Sequence, residues 1–453
     1  MELLLSEIAV AVDGCLLGED VAVSSVSIDT RTLLKADLYI AIKGPNFDGH
    51  SFIDKAASAG ASAVLVEQEC DTELAQIIVK DTHLALAELA GVWKNKASVK
   101  AVAITGSNGK TTVKEMIAAV LNVNANVMFT QGNLNNDIGV PLTLLKLQKQ
   151  NQYAVIEMGA NHSGEIAYSS HYVQADIAVI TNVGAAHIEG FGSLEGVARA
   201  KGEIIESLGD EGIAILNKDD AFYSFWQQLA KDRKVVTFGL TKDADVTAKA
   251  LEFRVEADEF FTGFILSAGD DEIAVKLNLA GQHNVINALA AAASCLSLGI
   301  RLEQIKQGLE AMQAVTGRLQ PLAGKKGVLV IDDTYNANPS SVKVALEVLK
   351  QCKGELWFVM GALAEIGPES VKRHEELGEL IKSMNVVRLL TIGSDAESTS
   401  KTFGRGATFF KSQQQMIAYL EHELKGREAI LVKGSRSQKM ENVVASLVTG
   451  YRT

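Results

Sequence analysis

The sequence predicts an α/β protein of three successive units: a small N-terminal α/β domain, a central P-loop-type domain on a parallel sheet, and a C-terminal Rossmann-like α/β domain. Three observations point there. The chain is 453 residues long, room for about three domains of roughly 150 residues each. Short apolar runs alternate with amphipathic stretches from end to end, as strands covered by helices do. One of those runs opens into a glycine-rich turn that leads straight into a helical pattern. No Ser/Pro-rich linker separates the units, so changes of pattern place them at 1–81, 82–312 and 313–453.

In the first unit, strand-like segments at Val21–Ile28, Leu38–Ile42, Ala63–Val66 and Ile77–Val79 surround one helical stretch near Phe52–Ser58. Thr82 is placed to cap a helix running to about Trp93, after which Val102-Ala103-Ile104 reads as a buried strand. Through the second unit, to about Ala311, strand, loop and helix repeat; Ala154–Met158, Ile177–Val183 and Ile213–Leu216 suit a parallel sheet buried on both faces. The longest uncharged stretch, Leu277–Ile300, carries Asn278, Gln282, His283, Asn284 and Asn287. It therefore reads as an Ala-rich buried helix, about Asn287–Leu298, and not as a membrane span. The third unit starts near Thr316, with strands at Val328–Ile331, Leu356–Met360, Arg388–Ile392 and Ile430–Val432.

Composition narrows the function classes. Lys+Arg 43 against Asp+Glu 55 gives 43 − 55 = −12, which disfavours a general nucleic-acid surface, since that needs clustered cations. The start, Met1–Val10, has no basic stretch and is interrupted by Glu7, so no export signal is expected. Cys15, Cys70, Cys295 and Cys352 form no metal or redox motif and read as reduced core thiols of a cytoplasmic protein.

The strongest chemical signal is Thr105-Gly106-Ser107-Asn108-Gly109-Lys110-Thr111-Thr112, between the Val102–Ile104 strand and a helix with Val113, Met116, Ile117, Val120 and Leu121 on one face. Strand, glycine loop and helix form a phosphate cradle: backbone N–H groups turn inward at the helix N-terminus, Lys110 adds a point charge, and the Thr111 hydroxyl can ligate Mg²⁺. The full Walker spacing would need a glycine where Ile104 stands, so this loop is a shortened variant. A Mg-nucleotide needs further hard oxygen ligands at neighbouring strand ends. Glu157, ending Ala154-Val155-Ile156, fits that role, and His187 follows the next strand; as the bland alternatives, Glu157 is a solvated strand-end acid and His187 a surface residue.

Lys201 is expected in an apolar stripe. In the helix from about Ser193 it shares a face with Leu194, Val197, Ala198, Ile204, Ile205 and Leu208. A lysine there must snorkel, pair with a carboxylate, or be changed chemically, because burying a lone ammonium costs several kcal/mol. As a neutral amine it can take up CO₂ to give a carbamate. Gly281-Gln282-His283-Asn284 offers amides to a base edge or simply caps a helix. Gly317-Arg318 and the loop Asp332-Asp333-Thr334-Tyr335-Asn336-Ala337-Asn338-Pro339 form a polar strand end before a helix with Val342, Ala345, Leu346 and Leu349 inward.

Together these motifs resemble the Mur ligases, ATP-dependent amide ligases of cell-wall precursor synthesis, in order and over nearly the whole chain. The distinguishing stretches are Gly132-Asn133-Leu134-Asn135-Asn136-Asp137-Ile138-Gly139-Val140-Pro141, Glu157-Met158-Gly159-Ala160-Asn161-His162 and Asp333-Thr334-Tyr335-Asn336-Ala337-Asn338-Pro339. The resemblance implies a UDP-binding first domain, a central ATPase domain and a C-terminal domain that closes over the nucleotide. It implies the member that adds D-alanyl-D-alanine to UDP-N-acetylmuramoyl-tripeptide through an acyl phosphate. ATP and two Mg²⁺ would be used, and no nucleic acid, membrane or obligate protein partner.

By position, the resemblance gives Lys110 to the ATP phosphates, Thr111 and Glu157 to one Mg²⁺, and His187 to a second. Lys201 matches the family's carbamylated lysine. Asn284 matches the adenine contact, Arg318 and Asp333 residues reaching ATP from the C-terminal side. Ser27, Asp29, Thr30 and Arg31, with the loop Lys43–His50, match the uridine-nucleotide region. Asn135 and Asn136 match residues at the reaction centre, and Tyr335 and Asn336 lie in the loop facing it. One departure is Ala362, where the family usually has Asp; Lys433-Gly434-Ser435-Arg436 matches well. Folylpolyglutamate synthase, a ligase on the same scaffold, tends to have Gly-Lys-Gly-Ser where this chain has Gly109-Lys110-Thr111-Thr112. A nucleotide-gated binding protein that hydrolyses ATP slowly is the rival from a different class.

Overall fold

The computed structural model describes residues 3–44, 46–184, 188–256, 259–364 and 366–451. Three main sheets follow one another along the chain. The first has, among the described residues, five strands in the order Cys15–Leu17, Ala75–Ile78, Ala63–Val66, Asp37–Ile40, Ser25–Ser27. Only the Cys15–Leu17 edge is antiparallel. The strand expected over Val21–Ile28 is broken in two, Ala22–Val23 pairing with Leu3–Leu4 and Ser25–Ser27 joining the larger sheet.

The central sheet has nine strands among the described residues. Val127–Phe129, Tyr153–Glu157, Lys100–Thr105, Ile177–Ile180, Ile213–Asn217 and Lys234–Phe238 run parallel in that spatial order. Alternation along Lys100–Thr105 divides the core: Ala101 and Ala103 face one hydrophobic layer, Val102 and Ile104 the other. The second layer is filled by the helices Lys110–Asn122, Gln282–Ser297 and Leu302–Ala311. The Ala-rich helix thus starts earlier than expected, and its small residues Ala288, Ala290, Ala291 and Ala292 are fully buried. The regular strand–helix repeat stops at Val246–Glu256, where the chain turns into antiparallel hairpins with Glu259–Ala268 and Asp271–Leu277.

The C-terminal sheet has six strands among the described residues, with Glu428–Lys433 inserted between Leu329–Asp333 and Glu355–Gly361. Gln320–Ala323 and Ala407–Phe410 form its edges and were absent from the sequence reading. Val342, Ala345, Leu346 and Leu349 of the helix Pro339–Leu349 are buried as expected.

Three local expectations are corrected. Asp81, not Thr82, caps the helix Thr82–Ala97, accepting from the N–H groups of His83 and Leu84 at 2.8 and 2.9 Å. A carboxylate reaches those donors, while the Thr82 hydroxyl is spent on the Ala41 carbonyl. Cys15 is exposed on an edge strand and Cys70 is partly exposed, so only Cys295 and Cys352 are core thiols. Leu194, at the first turn of its helix, is exposed and does not join the Lys201 stripe.

Candidate active site

The strand Lys100–Thr105 lies between Tyr153–Glu157 and Ile177–Ile180, so the chain builds the sheet first on one side of it and then crosses to the other. Open α/β sheets bind ligands outside the strand ends at such a switch point. Here the strand ends in the glycine-rich loop. Gly106 has φ +151°, and a β-carbon on it would collide with the Thr181 hydroxyl. Asn182 clamps the next two residues: its carbonyl accepts from Ser107 N, its Oδ1 accepts from Asn108 N and its Nδ2 donates to the Asn108 carbonyl, each at 3.0 Å. Thr105 is buried and its hydroxyl donates to the Met158 carbonyl. The donors left facing a phosphate are the first-turn N–H groups of the helix Lys110–Asn122, which no intrahelical carbonyl can satisfy.

Thr111, Glu157, Asn135 and Arg318 converge there. The Glu157 carboxylate, 2% exposed, accepts from Thr111 Oγ1 at 2.9 Å and Asn135 Nδ2 at 2.8 Å. Its backbone N–H donates to Thr130 Oγ1, which fixes the strand end. From the C-terminal unit, Arg318 Nη2 donates to Thr111 Oγ1 at 2.8 Å, and the guanidinium lies 4.2 Å from the centre of the Tyr335 ring. Arg318 Nε is buried without a hydrogen-bond partner among the described residues, an orphan donor beside the cradle. Lys110 Nζ donates to the Gly106 carbonyl at 2.7 Å. Burial pushes its pKa down, with Glu157 opposing and Arg318 reinforcing.

Among the described residues, no cluster of three or more His, Cys, Asp or Glu side chains forms a metal centre. The Thr111 hydroxyl and the Glu157 carboxylate are adjacent hard oxygen donors, which fits a divalent ion whose remaining ligands are phosphate and water oxygens. His187 lies outside the described residues.

Lys201 is 3% exposed, and no hydrogen bond or ion pair of its ammonium is found among the described residues. Burial drives its pKa far below that of an ordinary lysine, and repulsion from Lys110 adds to the shift. The snorkelling alternative is therefore set aside: the group is an amine favoured in its neutral form beside the phosphate cradle.

The C-terminal strand ends meet the same cleft. Asp333 is paired with Lys433 on the neighbouring strand, in register with it, at 2.6 Å. Lys433 also donates to the Asn336 carbonyl, and Asn336 Oδ1 accepts from Ala337 N. Other expected residues are engaged locally. Asn284 donates to the Ala280 carbonyl and accepts from Asn287, so both ends of its amide are used within the helix start. Asn136 Oδ1 accepts from Gly139 N and closes a turn. In the first unit, Asp29 and Arg31 form a surface pair at 2.6 Å that holds Asp29 down at about 2, chiefly through the Arg31 side-chain hydrogen bond. Ser27 bonds the backbone of Asp29, and Thr30 lies between the paired residues. Sequence reasoning missed the clamps Asn182 and Thr130; neither sits in a local pattern that announces the contact.

The comparisons agree with this geometry. Family models described as Mur ligase family, catalytic domain, as Mur ligase middle domain and as Mur ligase, glutamate ligase domain match residues 22–94, 104–295 and 317–436. A UDP-N-acetylmuramoyl-tripeptide–D-alanyl-D-alanine ligase of Escherichia coli K12 is 43% identical over 98% of both chains. The enzyme of that name from Bacillus subtilis 168 is 35% identical over 95% of this chain and 94% of its own. The chain belongs to the Mur ligase family. Among solved structures, MurF from Acinetobacter baumannii superposes with a TM-score of 0.93 at 36% identity, covering 98% of each chain. MurF from Thermotoga maritima in complex with ADP gives 0.83 at 29% identity, over 93% and 96%. Folylpolyglutamate synthase of Mycobacterium tuberculosis shares the fold at 0.64 and 16% identity over 82% of this chain. The Mur ligase architecture explains why the central and C-terminal sheets meet at one cleft. At the departure from the family pattern, Ala362 is buried, its N–H bonded to the Ile392 carbonyl; a carboxylate in that setting would need a partner of its own.

Proposed function

We infer that this protein is an ATP-dependent amide ligase that joins D-alanyl-D-alanine to UDP-N-acetylmuramoyl-tripeptide, making a peptidoglycan precursor. The observation that carries the reading is the Thr111–Glu157–Arg318 convergence at the switch point, in a chain alike over 98% of its length to a ligase named for that reaction. ATP is the cosubstrate, and the cytoplasm, where ATP is held, is its place. The division at 1–81, 82–312 and 313–453 is retained for the three roles: UDP end, nucleotide, incoming dipeptide.

A carboxylate is a poor acyl donor, so the tripeptide's terminal carboxylate attacks the γ-phosphorus of ATP; the bond to the bridging oxygen breaks, ADP leaves, and an acyl phosphate forms. The dipeptide amine then attacks the acyl carbon, phosphate departs with the bonding pair, and the amine loses a proton. The first-turn N–H groups and Lys110 hold phosphate oxygens, and Arg318 brings positive charge from the opposite unit. Thr111 and Glu157 would hold Mg²⁺, which would supply Lewis-acid stabilisation of phosphate charge; His187 is the proposed ligand for a second. Carbamylated Lys201 would put a negative charge where burial disfavours the ammonium. Asn135 keeps Glu157 oriented. Closing the cleft excludes water that would hydrolyse the acyl phosphate.

The test uses tripeptide substrate with ¹⁸O in its terminal carboxylate. One ¹⁸O should appear in each phosphate released. Unlabelled phosphate would rule out the acyl phosphate.

A further inference from the structure

Asn108 lies in the phosphate loop, yet its side chain is engaged by the C-terminal unit. Nδ2 donates to Ser340 Oγ at 3.1 Å, and Oδ1 accepts from Asn338 Nδ2 at 3.0 Å. Ser340 Oγ donates to Asn338 Oδ1 at 2.7 Å, closing a ring of three side chains. Both ends of the Asn108 amide are thereby satisfied by residues 230 or more positions away in sequence. Its backbone is fixed separately by Thr181 and Asn182 on the neighbouring strand end. Asn338 also caps the helix Pro339–Leu349, its Oδ1 accepting from Ser341 N at 2.8 Å. Gly184 lets the two units approach: a β-carbon there would lie 3.0 Å from Ser340 Oγ and 3.2 Å from Asn108 Nδ2.

We propose that Asn108 is a positioning residue whose side chain ties the phosphate loop to the capped end of the helix Pro339–Leu349, so that the loop and the docked C-terminal unit take up their working geometry together. Its side chain serves the junction between units and not the nucleotide. The kinetic consequence rests on the ligase reading; the contact itself does not.

The test is a double-mutant cycle with Asn108→Ala and Ser340→Ala in the full-length protein, read in two ways. The first readout is amide hydrogen exchange without nucleotide. Ser340→Ala should raise exchange at residues 106–112, and Asn108→Ala should raise it at 338–345, because each variant cuts the shared ring. The second is ligase kcat/KM for ATP, where each single variant should lose about threefold to tenfold, and the double variant no more than either. Exchange changes confined to each variant's own segment, or losses that multiply in the double variant, would overturn the proposal. If wild-type protein proves inactive as a ligase, the ligase reading falls while the exchange arm still decides the contact. Should Asn108→Ala fail to fold, Ser340→Ala alone settles it at residues 106–112.

Discussion

A primary amine held at 3% exposure with no partner among the described residues is a reagent as much as a structural group. Burial and the neighbouring Lys110 both disfavour its protonated form, and a neutral amine is the form that adds CO₂. Lys201→Ala is therefore expected to be nearly inactive in the ligase assay and partly rescued by short carboxylates; activity close to wild type would sink the carbamate. His283 makes a second residue-scale expectation. Burial lowers it to about 4, Asp333 opposing and Lys433 reinforcing. Between that value and its ordinary pKa of about 6.5, the unfolded chain binds a proton that the folded chain does not, so this contribution to stability is lost as pH falls from about 6.5 towards 4. His283→Gln should flatten the melting-temperature profile over that window; an unchanged slope would assign the acid sensitivity elsewhere. Lys201 was legible in the sequence because a charge in an apolar stripe breaks a periodic pattern. Asn182 was not, because its clamp on Asn108 joins two strand ends that only the folded sheet makes neighbours.

At the scale of elements, the site depends on how tightly the strand Lys100–Thr105 passes into its helix. Gly106→Ala would force a side chain into a left-handed backbone and against Thr181. It is expected to cost about 1–3 kcal/mol of stability from strain alone and to abolish measurable ADP binding by calorimetry; binding like wild type would mean the loop tolerates rearrangement. The parallel strands were legible because strands buried on both faces read as continuous apolar runs. The hairpins from Val246 to Leu277 were not. In Glu259–Ala268 burial alternates with partial exposure, and that period-two signal is diluted by charged residues throughout Val246–Glu256. The edge strands Gln320–Ala323 and Ala407–Phe410 are four residues each, too short to stand out from loops.

Across the whole molecule, catalysis is expected to require that the C-terminal sheet bring Arg318 to the central sheet's strand ends. Arg318 is the side chain that touches Thr111 from that side. A charge-assisted hydrogen bond of this kind is worth about 1.5–3 kcal/mol, so Arg318→Ala should lower kcat/KM for ATP by about 10- to 150-fold. A loss below twofold would remove Arg318 from the reaction. The three-unit order was readable from strand spacing and motif order, whereas the side-chain contacts that join the units were not, since none lies within one motif. The most direct test of the central claim is phosphate release from Mg-ATP with UDP-N-acetylmuramoyl-tripeptide and D-alanyl-D-alanine, each omitted in turn, with the product weighed by mass spectrometry. Release that needs all three, with a product heavier by one dipeptide less water, is the expected result. Release from ATP alone, indifferent to both substrates, would contradict the ligase and leave a nucleotide-hydrolysing switch.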